Sequence, residues 1–89
     1  MKIDAIEASP RFTKQLKHLP DTVKEKAEKT VKLFKNDPFH PSLRLHRLSG
    51  KLKNYWSISI DLKYRIIFRM DKGTANFLSV GSHAIYEKM

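Results

Sequence analysis

The sequence predicts a single α+β domain, in which an N-terminal strand and a two-helix hairpin pack on a twisted, mostly antiparallel sheet in the order β-α-α-β-β-β-β. Three observations carry that prediction. Apolar residues recur every three or four positions between residues 10 and 36, which is the period of a helix face. They alternate every second position between 55 and 70, as a strand with two unlike faces requires. Proline and glycine fall at the joints between these stretches rather than inside them.

The elements follow in order. "KIDAIEA" alternates and reads as a short strand. Ser9 is placed to cap a helix that starts at Pro10, where the missing N–H costs nothing. Phe12, Leu16 and Leu19 then share one face. Pro20 stops that helix, and Asp21 is expected to cap the next, whose Val23, Ala27, Val31 and Phe34 form a second apolar stripe. "DPFHPS", with two prolines in four residues, must be extended. "LRLHRL" reads as a strand and "SGKLKN" as a turn in which Gly50 takes positive φ. "YWSISIDL" sets Trp56, Ile58 and Ile60 against Ser57, Ser59 and Asp61. "YRIIFRM" sets Tyr64, Ile66, Phe68 and Met70 against Arg65, Ile67 and Arg69, and the short link between the two runs predicts a tight hairpin. "DKG" turns again, and "TANFLSVGSHAIY" is the last strand. The helices cover one sheet face with Phe12, Leu16, Val23, Ala27, Val31 and Phe34, leaving the other to face solvent and do chemistry.

Composition narrows the function. The chain has 89 residues, too few for more than one domain. It holds no cysteine, so neither a disulfide nor a thiolate metal site is available. No apolar run is long enough to span a bilayer, and the start lacks a signal-peptide pattern, so a cytoplasmic protein without membrane attachment is expected. Eighteen Lys and Arg against nine Asp and Glu give a net charge of +9, which favours polyanionic partners. The excess is uneven. Residues 1–38 carry nine basic and six acidic side chains, residues 39–89 nine and only three. The sheet half therefore carries the field.

The four histidines have no zinc-site spacing, and no phosphate-binding glycine loop or nucleophile elbow is present. Neither a metal nor an organic cofactor is expected. What remains on the strands is His46, Arg65, Arg69, His83 and Tyr86, with Lys51, Lys53, Tyr55 and Tyr64 around them. Metal-free RNA cleavage needs that mixture. A base takes the 2′-hydroxyl proton, an acid protonates the leaving 5′-oxygen, and a cation steadies the pentacoordinate phosphate. Imidazole suits both proton roles and guanidinium the third, while an aromatic ring can stack on an unpaired base. These residue types by themselves fit a basic α+β domain that binds RNA.

The ordered set of "HRLSGKLKNYWSISIDLKYRIIFRM" and "LSVGSHAIY" resembles the RelE/ParE superfamily of bacterial toxins, on its RelE- and YafQ-like branch. The shared theme is a leucine–glycine turn, an aromatic entering a strand, a "YR" strand and a closing "G-x-H". Here these are Leu48 and Gly50, Tyr55 and Trp56, Tyr64–Phe68, and Gly81 with His83. The resemblance implies a microbial-RNase-like fold and a ribosome-dependent endoribonuclease that cuts mRNA in the ribosomal A site, against ribosomal RNA, without a metal. It also implies a cognate antitoxin that neutralises the toxin in a hetero-oligomer. By the same resemblance His46 and His83 are candidate acid and base, Arg65 steadies the phosphate, and Tyr86 contacts the substrate. Lys51, Lys53, Tyr55, Tyr64 and Arg69 would bind RNA. Two departures stand out: Ser57 and Ser59 occupy positions where RelE carries lysines, and Lys63 replaces an aspartate of the YafQ-like pattern. ParE-like members share the "YR" strand yet poison DNA gyrase without known catalysis, so a non-enzymatic gyrase inhibitor, or an inactive basic RNA- or antitoxin-binding module, is the alternative.

Overall fold

A computed structural model describes residues 1–82. The chain runs β1 (Ala5–Ala8), α1 (Pro10–Lys17), α2 (Asp21–Asn36), β2 (His46–Arg47), β3 (Trp56–Ser59), β4 (Arg65–Asp71) and β5 (Thr74–Gly81), with 3-10 turns at Pro41–Leu43 and Gly50–Leu52. The five strands form one sheet in the order β1-β5-β4-β3-β2. β1 lies parallel to β5, and every other pairing is antiparallel. The α+β class and element order read from the sequence hold.

The core lies between the helices and one sheet face. Phe12 and Phe34 from the helices meet Phe68 and Phe77 from β4 and β5, with ring centroids 4.9–6.1 Å apart in tilted or edge-on pairs, the geometry that aromatic quadrupoles favour. Ile58, Ile66, Ala75 and Val80 complete this buried layer, and Leu16, Leu19, Val31 and Trp56 close its margins. Val23 and Ala27 are buried within the hairpin but lie outside that central cluster.

A bulge in β5 decides how α1 is attached. Ile67 pairs with Ser79 but Phe68 with Phe77, so Leu78 is the extra residue. β1 ends at Ala8, opposite Phe77, and leaves the next stretch of β5 without a strand on that side. Side chains of the helical segment take over. The Ser9 hydroxyl donates to the Leu78 carbonyl and accepts from the Phe12 N–H. The Gln15 amide oxygen accepts from the Val80 N–H at 2.9 Å. Backbone groups exposed by the bulge are thereby satisfied, as buried polar groups must be.

Three local expectations change. Asp21 is the first residue of α2 rather than its cap; Pro20 holds the cap position and makes no side-chain hydrogen bond. Asp21 instead pairs with Lys24 at 3.6 Å, where its charge suits the helix N-terminus. The "LRLHRL" strand shrinks to His46–Arg47, because Pro41 starts a 3-10 turn and Arg44 takes left-handed backbone (φ 47°, ψ 44°). Asp61 does not continue the β3 face. Its carboxylate accepts from the Lys63 and Tyr64 N–H groups at 2.9 and 2.8 Å and pairs with Lys26 on α2 at 3.7 Å. The Tyr64 N–H is the main cause that holds this carboxyl below its ordinary pKa; Lys63 and Lys26 help, and burial opposes.

Replacing Gln15 by Leu is expected to lower unfolding stability by about 1–3 kcal/mol in urea titrations, because the Val80 N–H then lacks an acceptor, while Gln15→Glu keeps one and stays near the parent. For Asp61, a lowered folded pKa means stability that is complete above the unfolded carboxyl value and lost as pH falls through the folded one. Denaturation between about pH 5 and pH 2 should therefore cost the parent more stability than Asp61→Asn.

Candidate functional site

Strand alternation sorts the predicted residues before any contact is considered. Ile66 and Phe68 belong to the helix-covered core, so Arg65, Ile67 and Arg69 project from the other face of β4. Register extends that face sideways. Arg65 lies opposite Ser59 on β3 and Gly81 on β5. Ile67 lies opposite Ser57 and Ser79, and Ser57 in turn opposite His46 on β2. Arg69 lies opposite Asn76. The Leu48 N–H donates to the Tyr55 carbonyl, which continues the β2–β3 ladder and brings Tyr55 to the Arg69 end of the same face. His46, Arg65, Arg69 and Tyr55 thus share one surface.

Strands about 4.8 Å apart and residues about 3.3 Å apart along them put the Cα atoms of His46 and Arg65 roughly 12 Å from each other. Arg69 stands about 13 Å along β4 from Arg65.

The face is less open than the sequence suggests. Ser57, Ile67 and Ser79, its central row, are buried, and so is Ser59. The polar and charged groups of this face that stay accessible lie at its rim. His46 is exposed, and its Nδ1 lies 3.0 Å from the Arg44 carbonyl oxygen. Arg65 is partly buried; its Nη1 donates to the Ser59 hydroxyl, and its Nε is enclosed without a hydrogen-bond partner among the described residues. A buried N–H with no acceptor is uncommon. Ser59, at a position where lysine chemistry was missing, therefore acts as the group that holds Arg65.

Lys51 and Lys53 are exposed on the 3-10 turn between β2 and β3. Arg47, which the sequence reading passed over, fixes that loop. Its Nε donates to the Lys53 carbonyl at 2.7 Å and its guanidinium lies 5.9 Å from the Trp56 ring centroid. Only the pairing of β2 with β3 reveals that role. Tyr64 is not brought to the others. Its alternation with Arg65 turns it to the helix side, where Lys63 Nζ sits 5.4 Å from its ring centroid. His83 and Tyr86 lie outside the described residues. Among the described residues no group of three His, Asp or Glu side chains could hold a metal, and no helix is long and apolar enough to cross a membrane.

A second surface lies on the helical hairpin. Phe12, Leu16, Ala27 and Val31 line a groove of about 540 Å³ between α1 and α2. Lys17, Lys24 and Lys32 stand on its margin against the single acid Glu28.

A helical hairpin packed on one face of a bulged mixed sheet, with cationic side chains at the rim of the other, is the architecture these residues build. Residues 21–88, more than half of the chain, match the family model described as a ParE-like toxin domain, and the chain belongs to that family, within the RelE/ParE superfamily. The fold is also similar to YafQ from E. coli strain BL21(DE3), with a TM-score of 0.77 and 22% identity over 96% of this chain and 98% of that one. YafQ in the E. coli DinJ-YafQ toxin-antitoxin complex gives 0.75 and 22% over 96% and 97%. The RelB-RelE antitoxin-toxin complex of Methanococcus jannaschii gives 0.74 and 22% over 93% and 98%. No curated protein matches the chain by sequence.

Ser59→Ala is expected to free the Arg65 guanidinium without unfolding the sheet. The measurement is the Arg65 Nε–H resonance, which should broaden or move while the core methyl signals of Ile58 and Ile66 stay in place.

Proposed function

We propose that the chain is the toxin of a toxin–antitoxin pair and cuts mRNA presented in the ribosomal A site, by acid–base catalysis without a metal. The observation that carries this reading is the sharing of one sheet face by an exposed His46 and a partly buried, serine-held Arg65. One proton-transfer group takes the 2′-hydroxyl proton, and the freed oxygen attacks the adjacent phosphorus. The bond to the 5′-oxygen breaks as a second group returns a proton to it, leaving a 2′,3′-cyclic phosphate. Arg65 faces the charge that builds on the equatorial oxygens. Arg69, Lys51 and Lys53 hold flanking phosphates, and Tyr55 offers a ring to a splayed base. His46 fills one proton role and His83 the other, with Tyr86 beside the substrate; the resemblance to YafQ-like toxins supports the last two assignments. Ribosomal RNA surrounds the substrate, so a +9 chain gains from the company.

The partner is an antitoxin, as in the DinJ-YafQ and RelB-RelE complexes. The hairpin groove suits an amphipathic helix whose apolar stripe meets Leu16 and Val31 and whose acids meet Lys17, Lys24 and Lys32. A second reading, gyrase inhibition without catalysis, is favoured by the ParE-like family description.

Expression in bacteria separates them. His46→Ala and Arg65→Ala should each lower transcript cleavage by about 10²-fold or more while remaining folded, and chelators should leave cutting unchanged. Parent-like toxicity and cleavage in both variants would remove the site assignment. DNA-damage induction with intact transcripts would favour gyrase, and absence of toxicity with antitoxin binding retained would favour an inactive binding module. Val31→Glu should weaken antitoxin binding by about tenfold or more, equivalent to about 1.4 kcal/mol, without slowing cleavage.

A further inference from the structure

We infer that Arg44 is a positioning residue whose backbone carbonyl selects the tautomer of His46, so that Nε2 is the atom that exchanges protons with RNA. The inference rests on the nuclease reading for its consequence but not for its geometry.

A carbonyl oxygen only accepts hydrogen bonds. With the Arg44 oxygen 3.0 Å from Nδ1, Nδ1 must carry the hydrogen. Neutral imidazole has one N–H, so the lone pair lies on Nε2. The ring is on the exposed edge strand β2, where Nε2 can meet a substrate. Taking up a proton at Nε2 leaves the Nδ1–H···O bond unbroken, so the ring keeps its orientation through the transfer.

The direction of that carbonyl is built in. Arg44 has φ 47° and ψ 44°, a left-handed conformation unusual for a residue with a side chain. It is reached because Leu43, 1% exposed, is sunk in the core while the Arg44 N–H closes the 3-10 turn onto the Pro41 carbonyl. His40 helps to start the turn, its Nδ1 accepting from the Ser42 N–H at 3.2 Å. A return of Arg44 to extended backbone, with ψ near about +135°, would swing its carbonyl through roughly 90° and away from the imidazole. Strain of this kind persists where surrounding contacts over-determine the backbone, and it gathers at working sites. Only the main chain of Arg44 enters the argument. Glycine should substitute for it, whereas a β-branched residue, which resists positive φ, should not.

The test compares the parent, Arg44→Gly and Arg44→Val as full chains, reading the His46 ring nitrogens by long-range ¹H–¹⁵N correlation at about pH 8, where imidazole is ordinarily neutral. The parent and the glycine variant are expected to hold the Nδ1–H tautomer. The valine variant should move toward Nε2–H and cut transcripts about tenfold to a hundredfold more slowly. Both variants lose the same charge, so the difference between them isolates backbone conformation. An Nε2–H tautomer in the parent, or a tautomer unchanged by valine, overturns the inference. If valine prevents folding, the parent tautomer and retention of activity by glycine still decide it. The expected tautomers in a protein that cuts no transcript would uphold the positioning role and defeat the nuclease reading.

Discussion

Alternation along β4 is the constraint from which the rest of the molecule follows. Ile66 and Phe68 must be buried beneath the helices, since a chain of 89 residues has few other large apolar groups to build a core with. A strand cannot bury those two without sending Arg65, Ile67 and Arg69 to the opposite side. The core and the cationic face are thus two consequences of one pattern. A register slip of a single residue would exchange them and destroy both.

The neighbouring strands turn that row of side chains into a surface. β3 contributes serines rather than bulky groups, and one of them holds the Arg65 guanidinium. β2 is only two residues long, yet it delivers His46 to the edge, and the left-handed Arg44 just before it governs how the imidazole is presented. On the far side of the sheet, α1 is tied to the bulge of β5 by Ser9 and Gln15. Helix attachment and strand irregularity therefore support one another: the bulge frees backbone groups that only the helical segment is placed to satisfy. The hairpin keeps its own groove between α1 and α2, on the side of the sheet remote from Arg65 and Arg69.

Much of this was legible in the residues. The two apolar stripes, the alternation of residues 55 to 70 and the positions of proline and glycine gave the element order, because each depends on local periodicity alone. Gly50 takes positive φ as its turn requires. What escaped was set by contacts between distant parts of the chain. Nothing local says that Asp61 will turn back to its own hairpin and α2, or that Gln15 will meet Val80, 65 residues away. The enclosed middle of the second face was also hidden, since small polar residues read as exposed until their surroundings are known. Among the site residues, the shared face of His46, Arg65 and Arg69 followed from alternation and pairing. The separation of Tyr64 followed from the same rule, once it was applied to neighbours on one strand. Lys51 and Lys53 were readable as a basic loop, but the Arg47 brace that shapes it was not.

The central claim is that the sheet face opposite the helices receives the RNA backbone. The most direct measurement is a backbone amide titration of the full chain with a short RNA made uncleavable by 2′-O-methylation. Shifts gathered on His46, Ser57, Arg65, Ile67 and Asn76, with α1 and α2 unmoved, are the result the account requires. Shifts confined to the helical hairpin, or spread evenly over the basic surface, would contradict it.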